Sequence, residues 1–131
     1  MVANGEAAAD TARIPVTTLD AILEGRGLTL IKIDVEGFET AVLDGAAHTM
    51  QSPSLLAAVI ELNGSGTRYG FDEGKVHERM LQWGFFPGRY APLRRELMSG
   101  ADARKGNTLY VRNLEQLRER VHTAPRHTVL G

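Results

Sequence analysis

Two nearly continuous apolar segments dominate the hydrophobic pattern, and each one ends in polar residues. The first covers residues 28–35, with Ile31 and Ile33 on one face of an extended chain and Lys32 on the other. The second covers residues 55–62, Leu-Leu-Ala-Ala-Val-Ile-Glu-Leu. Continuous apolar strands joined by a helix are typical of a parallel sheet with both faces covered, so the pattern predicts an α/β fold.

Helical spacing of apolar residues predicts four helices around these strands. Thr17 and Asp20 have the spacing of a capping box for the first, which glycines then close. The second is amphipathic and stops at Ser52-Pro53. The four predicted ranges are 19–24, 38–50, 72–83 and 114–121.

Two further strands complete the predicted order. Residues 85–92 form a weaker, proline-bounded strand that we expect at an edge of the sheet. Residues 107–112 form a short strand, and residues 100–106 before it are expected to be a flexible loop. Because no helix joins these two strands, we expect them to be antiparallel.

The composition of the chain excludes several kinds of site and segment. The chain has 131 residues, enough for one domain. It contains no cysteine, which excludes disulfides and thiolate metal sites, and its four histidines have no metal-binding spacing. No apolar segment reaches the roughly 18 residues of a membrane span. The N-terminal residues do not resemble a signal peptide, so the expected location is the cytoplasm.

The charges are unevenly placed along the chain. The net charge of −1 gives no general reason to expect nucleic-acid binding. Residues 1–88 contain 12 acidic and 6 basic residues, whereas residues 89–131 contain 4 acidic and 9 basic ones. A mixed, solvated surface is the simpler interpretation, and a basic face for an anionic ligand or partner is the alternative.

Asp34 and Glu36 stand where the first apolar strand ends, and they are the first candidates for chemistry. In an open α/β sheet, ligands bind in the crevice outside the carboxyl ends of the strands. Two carboxylates placed there can bind a divalent cation, share a proton, or divide into acid and base roles. The alternative, mainly for Glu36, is that a carboxylate caps the following helix.

Three more polar residues are predicted to share this edge of the sheet. Lys32 lies on the same strand face as Asp34, so an internal ion pair is the plain explanation and substrate binding the alternative. Glu61 and Asn63 end the second strand, which in a parallel sheet places them about 5 Å from the first strand's end. Asn63 has the simpler alternative of starting a turn. Their convergence is a stronger sign of a site than any one of them.

Other conspicuous side chains have structural interpretations. We expect His77 on the solvent-exposed face of its helix. Trp83, Phe85 and Phe86 are expected in the core rather than in a stacking platform. No GxxxxGK[ST] phosphate loop is present.

Six motifs form a pattern together. They are Pro15-Val16-Thr17-Thr18-Leu19-Asp20, Leu30-Ile31-Lys32-Ile33-Asp34-Val35-Glu36-Gly37-Phe38-Glu39, Val42-Leu43-Asp44-Gly45-Ala46, Val59-Ile60-Glu61-Leu62-Asn63, Gly84-Phe85 and Asn107-Thr108-Leu109-Tyr110-Val111. The pattern covers residues 14–113 and resembles the FkbM-type methyltransferases. The run K-I-D-V-E-G-x-E with a downstream V-L-x-G-A is fairly specific.

The resemblance implies a fold, a reaction and a cofactor. Members of that family transfer a methyl group from S-adenosylmethionine, mainly to hydroxyl oxygens of sugars and polyketide-like natural products. Their fold is similar to the Rossmann-like methyltransferase sheet, ordered 3-2-1-4-5-7-6. The strands here would be its fourth (28–35), fifth (55–62), sixth (85–92) and seventh (107–112), with the last strand antiparallel.

The resemblance also suggests roles for the site residues. Asp34 and Glu36 would be catalytic, with Asp34 as the base or as the group that orients the substrate. Lys32, Glu61 and Asn63 would contact a small-molecule substrate through its hydroxyl groups. No metal, nucleic acid or membrane is expected as a partner.

The chain departs from the family pattern in one large respect. The D-x-G-x-x-x-G element that holds the cofactor in the family does not precede Asp34, and the acidic residue that holds the cofactor ribose is also missing. We therefore expect a disordered lead-in (1–13), the C-terminal half of a methyltransferase domain (14–122) and a flexible tail (123–131). The strand at 28–35 would have an exposed edge, which favours dimerisation, association with a separate N-terminal piece, or poor solubility.

Two other functions stay open at this point. A truncated or degenerate methyltransferase module could act as a non-catalytic binding or assembly partner. Asp34-Val35-Glu36-Gly37 also faintly resembles the D-x-D-G-T motif of haloacid-dehalogenase-type phosphatases. In this chain Glu36 replaces the second aspartate and Phe38 replaces the threonine.

Overall fold

A mixed five-stranded sheet is the central layer of the computed structural model, which describes residues 12–100 and 106–128. Its strands are β1 (Leu30–Ile33), β2 (Ala57–Leu62), β3 (Phe86–Ala91), β4 (Glu96–Ser99) and β5 (Gly106–Val111), in the spatial order β1-β2-β5-β3-β4. β1 and β2 are parallel, and β5 is antiparallel to both β2 and β3. The predicted α/β class is confirmed, and so is the antiparallel pairing of the last two predicted strands.

Five α-helices and one 3₁₀ helix surround the sheet in the described part of the chain. They are α1 (Leu19–Leu23), α2 (Glu39–Asp44), α3 (Ala47–Gln51), α4 (Glu73–Gln82), α5 (Leu114–Thr123) and the 3₁₀ helix Ser65–Tyr69. Among these residues, no helix is long and apolar enough to cross a membrane. The first, third and fourth predicted helices are confirmed, but the second is divided into α2 and α3 at Gly45.

Asp20 explains this division, and the predicted capping box at α1 is wrong. Thr18 caps α1, and its hydroxyl accepts from the Ala21 N–H at 3.2 Å. The Asp20 carboxylate instead accepts from the backbone N–H groups of His48 (2.9 Å) and Thr49 (2.8 Å), and from the Thr49 hydroxyl (2.6 Å). Burial alone would raise the pKa of Asp20, but these hydrogen bonds outweigh it and lower that pKa. A carboxylate at these N–H groups starts a new helix at α3.

The prediction for the 85–106 region needs two corrections. The sequence pattern predicts no helix or strand at residues 96–99, yet they form β4, which pairs with β3. β3 therefore lies inside the sheet rather than at an edge, and the edges are β1 and β4. A four-residue strand with one buried side chain, Leu97, has too short an alternation to stand out in the sequence.

Three predicted flexible segments fall outside the described residues, in whole or in part. They are residues 101–105 of the predicted loop, residues 1–11 of the predicted lead-in and residues 129–131 of the predicted tail.

The two faces of the sheet are covered unequally. A large core cluster on one face includes Ile60 and Tyr110 and packs against the helices that precede β3. A smaller cluster on the other face includes Val111 and Leu117 and lies under α5. Beside α5 an apolar cavity of about 610 Å³ remains over the sheet, with Leu30 in its lining. Phe85 is buried, and Trp83 and Phe86 pack against the clusters, as predicted.

Arg112 joins the ends of several elements to the centre of the sheet. Its guanidinium lies over the Phe85 ring, 4.3 Å from the ring centroid, and donates to four backbone carbonyls. These belong to Met50 (3.1 Å), Ser52, Leu55 (2.7 Å) and Trp83 (3.0 Å). Met50 and Trp83 lie at the C-terminal ends of α3 and α4, where carbonyls have no partner within the helix.

Two other arginines of the basic C-terminal part also bind backbone carbonyls. Arg95 donates to Val121 at 2.9 Å and to Ala124, and Arg118 donates to Leu97 at 2.9 Å. These bonds hold α5 against the hairpin of β3 and β4. With Arg112, three of the nine basic residues in 89–131 therefore have a structural role.

Arg112→Met is expected to lower the free energy of unfolding by about 2–4 kcal/mol, because it leaves several half-buried carbonyls without a donor. Chemical denaturation followed by circular dichroism measures the change. Arg94→Met, at an exposed position in the β3–β4 turn, is the matched control and should change stability by less than about 0.5 kcal/mol. Equal stability of the two variants would contradict the structural role of Arg112.

Candidate functional site

The parallel register of β1 and β2 brings three carboxylates together. Ile33 pairs with Ile60, so the residues that follow these two positions leave the sheet at the same edge. Carboxylate oxygens of Asp34, Glu36 and Glu61 all lie within 4.8 Å of one another. Asp34 and Glu36 are exposed and Glu61 is half-buried. We call these three residues the acidic cluster.

Lys32 forms the expected ion pair with Asp34, with 2.7 Å between Nζ and Oδ2. The pair is not internal as predicted, since the side chains are 58% and 36% exposed. The reason is that Lys32 lies on β1, which is an edge strand of the sheet, and Asp34 lies just beyond it.

The charges of the cluster separate the pKa values of its members. The Lys32 ammonium donates a hydrogen bond to Asp34 and lowers the pKa of that carboxyl. Asp34 in turn shares a hydrogen bond with Glu61, and its negative charge raises the pKa of Glu61. The same ion pair raises the pKa of Lys32. Asp34 is therefore the carboxyl that loses its proton first as the pH rises, and Glu61 is the stronger base.

A tight turn after β1 presents Glu36. Glu36 has a left-handed backbone with φ of 53°, and Gly37 follows with φ of 106°. The buried carboxylate of Glu39 accepts from the N–H groups of Val35 and Gly37, both at 3.3 Å. Phe38 is the N-cap residue of α2, so Glu36 does not take the capping role considered for it. Glu24, Arg95 and Asn113 have the same left-handed backbone at turns and helix ends, and at Glu36 this conformation turns the chain out of β1.

The loop after β2 is closed by its own side chains. Asn63 Oδ1 accepts from the N–H of Ser65 at 2.9 Å and from its hydroxyl, so Asn63 does start a turn. Glu73 accepts from the N–H groups of Gly64 (2.9 Å) and Gly66 (3.3 Å). The turn and this loop then touch, because a Cβ on Gly37 would lie 2.7 Å from the carbonyl carbon of Ser65.

An aromatic group borders the turn, and no sequence pattern predicted it. The Phe38 ring lies 4.1 Å from the Tyr69 ring and 6.2 Å from the Phe71 ring, centroid to centroid. Phe38 and Tyr69 are 43% and 45% exposed. Such exposed ring faces beside carboxylates can pack against the apolar side of a ligand ring.

His77 is not on a fully exposed face, so that prediction is wrong. It is half-buried, and its Nδ1 lies 2.9 Å from the Tyr110 hydroxyl. Burial raises the pKa of Tyr110 to about 12. A buried tyrosine hydroxyl needs a partner, which the helix supplies through His77.

The acidic cluster has enough oxygen atoms for a divalent cation, but exposed acidic groups often lie this close without one. The residues that sequence reasoning missed are the two glutamates that organise the loops, Glu39 and Glu73. The available signal for Glu39 was a carboxylate in the first turn of a helix, two residues after a glycine.

One family model matches the chain. The Methyltransferase FkbM domain matches residues 3–87, which contain the acidic cluster, both organising glutamates and the aromatic group. No curated protein and no solved structure matches the chain significantly.

Gly37→Ala is expected to be more destabilising than Gly64→Ala, although both positions have positive φ. An added Cβ at Gly64 meets nothing within 4 Å, so only backbone strain of about 1–2 kcal/mol applies there. At Gly37 the added Cβ also collides with the Ser65 backbone, which forces the two loops apart. Thermal unfolding of both variants measures the difference, and equal losses would show that the loops are not in contact.

Proposed function

Because the chain belongs to the FkbM methyltransferase family, we propose that it supplies the acceptor side of a methyl transfer from S-adenosylmethionine to a hydroxyl oxygen. The acceptor would be a sugar or a natural product with several hydroxyl groups. The observation that carries this proposal is the acidic cluster at the carboxyl ends of β1 and β2.

Carboxylates suit a hydroxyl-rich acceptor because they accept hydrogen bonds from alcohol O–H groups. Methyl transfer to oxygen is an in-line displacement, which depends on orientation of the attacking oxygen and on removal of its proton. The exposed rings of Phe38 and Tyr69 would contact the apolar face of the acceptor. Charged acceptor groups near Asp34 would be met by Lys32.

The pKa values of Asp34 and Glu61 shift in opposite directions, which supports different roles for these two carboxyl groups. Asp34, held ionised by Lys32, would orient the acceptor hydroxyl. Glu61, with its raised pKa, would accept the proton. Glu36 would bind a neighbouring hydroxyl. Asn63 uses its carbonyl oxygen for Ser65, so its amide N–H groups would bind an acceptor oxygen.

The described residues do not fit a complete site for S-adenosylmethionine. The backbone N–H groups of Val35, Gly37, Gly64 and Gly66, which a cofactor carboxylate could otherwise bind, are taken by Glu39 and Glu73. We therefore derive only the acceptor side from this chain, and we propose that a separate stretch of polypeptide supplies the cofactor side.

The strand order supports the same division. The order β1-β2-β5-β3 corresponds to strands four, five, seven and six of the order that the family resemblance implies. β4 has no counterpart in that order. We propose that the described sheet is that half of a methyltransferase sheet, extended by β4 at its edge.

Calorimetry with S-adenosylmethionine tests the proposed division. The purified chain is expected to show no binding in the micromolar range, and micromolar binding would overturn the proposal that the cofactor side lies elsewhere. The DNA upstream of the Met1 codon is expected to encode a D-x-G-A-x-x-G segment, in frame or shifted.

The proposed base can be tested in a protein that contains both this chain and the proposed cofactor-binding stretch. In that protein, Glu61→Gln should slow methyl transfer by about 10²–10⁴-fold. Glu78→Gln, on the exposed side of α4, is the control.

Nuclear magnetic resonance titration of the carboxyl groups tests the division of roles without a substrate. Asp34 should titrate below the ordinary aspartate pKa and Glu61 above the ordinary glutamate pKa. Lys32→Met removes the cation that favours ionised Asp34, so the pKa of Asp34 should rise. Lys75→Met, at an exposed lysine of α4, should leave both values unchanged. A Lys32→Met variant with an unchanged Asp34 titration would refute the assigned cause.

A further inference from the structure

The outer edge of β1 is the basis of an inference about this chain on its own. In the strand order that the family resemblance implies, the first strand of a cofactor half would pair with this same edge, so the inference concerns the chain without such a half. Among the described residues, β2 is the only strand that pairs with β1. Leu30 on this strand is 59% exposed, and Val35 just beyond it is 38% exposed. An unpaired edge with apolar side chains is a template for another strand.

The backbone of β1 shows which residues are available for such pairing. The carbonyl of Thr29 accepts from the N–H groups of Leu56 (2.9 Å) and Ala57 (3.2 Å), so Thr29 faces β2. Because hydrogen-bonding direction alternates along a strand, residues 31 and 33 also face β2. Leu30 and Lys32 then direct their N–H and carbonyl groups to the open edge, and Asp34 would do so if the strand were extended by one residue.

We propose that β1 pairs antiparallel with β1 of a second copy of this chain, around a two-fold axis at Ile33. In this register Lys32 lies opposite Asp34 of the partner subunit, and Asp34 lies opposite Lys32 of the partner subunit. The backbone N–H and carbonyl groups of both residues in each pair face the open edge, so the two residues can exchange two N–H···O bonds. Opposite charges directly across an antiparallel pair are stabilising.

The alternative two-fold registers lack this complementarity. An axis at Lys32 places two lysines opposite each other, and an axis at Asp34 places two aspartates opposite each other. An axis at Ile31 places Lys32 opposite Leu30, which leaves both charges without a partner across the pair. An axis between two residues places a residue whose backbone groups face the open edge opposite one whose backbone groups face β2, so the two cannot exchange hydrogen bonds. The segment Ile31-Lys32-Ile33-Asp34-Val35 thus complements itself in one register only.

Apolar surface also lies beside this interface. Ile31 lies opposite Val35 of the partner subunit in the proposed register, so exposed apolar surface on Val35 is covered. The 610 Å³ cavity with Leu30 in its lining lies on one face. A C2 pairing uses the same patch on both copies, so each of these surfaces is presented twice.

Light scattering coupled to size-exclusion chromatography tests the proposal on the full chain. We expect a mass twice the 14.3 kDa of one chain. Lys32→Asp sets two aspartates across each pair and Asp34→Lys sets two lysines there, so each single variant should weaken the dimer at least tenfold. The double variant Lys32→Asp/Asp34→Lys restores opposite charges and should restore the dimer. Lys75→Asp, an exposed charge reversal on α4, is the control.

A second variant tests the backbone pairing apart from charge. Lys32→Pro removes an N–H that faces the open edge and leaves the pairing of β1 with β2 intact, so it should yield a monomer. Circular dichroism and thermal unfolding show that each variant is folded. A monomeric parent chain would overturn the proposal and leave the edge to a different protein. A dimer that persists in both single charge reversals, or that the double variant fails to restore, would also overturn it.

Discussion

The arrangement of this molecule depends on the ability of one guanidinium to satisfy several helix-end carbonyls at once. Arg112 follows β5 and binds carbonyls at the ends of α3 and α4 and at the entry to β2. Its planar group of donors is suited to this task, whereas lysine offers a single point charge. Because β5 pairs with β2 and β2 with β1, the same contact fixes the helices relative to the strand that carries Asp34.

In the loops after β1 and β2, buried or half-buried carboxylates bind backbone N–H groups that lie outside any helix or strand. Glu39 and Glu73 take the N–H groups of the turns after β1 and β2, and Gly37 lets the two turns touch. Within the described residues, no backbone N–H group donates to Asp34 or Glu36, the two exposed carboxylates of the acidic cluster. The chain thus uses one set of acidic residues to shape the site and another to line it, as proposed for acceptor binding.

The two long apolar segments predicted the first strands and the convergence of Asp34, Glu36 and Glu61, because burial sets the pattern of a central strand. The ion pair of Lys32 and Asp34 was also predictable, since both lie on one strand face. The split of the second helix was not, because its cause is Asp20, 28 residues earlier than His48. The His77–Tyr110 contact was missed for the same reason, because the two residues are 33 positions apart. β4 was missed because it has only four residues and one buried side chain, although its partner β3 is close in sequence.

The exposure of the Lys32–Asp34 pair has a consequence for how the molecule responds to its solution. Both side chains are in contact with water, so mobile ions screen their attraction, with a Debye length of about 8 Å at physiological ionic strength. Added salt would therefore weaken the attraction between Lys32 and Asp34 and bring the pKa values of Asp34 and Glu61 closer together. Since the same two charges lie on the open strand edge, ionic strength acts on the acidic cluster and on that edge simultaneously.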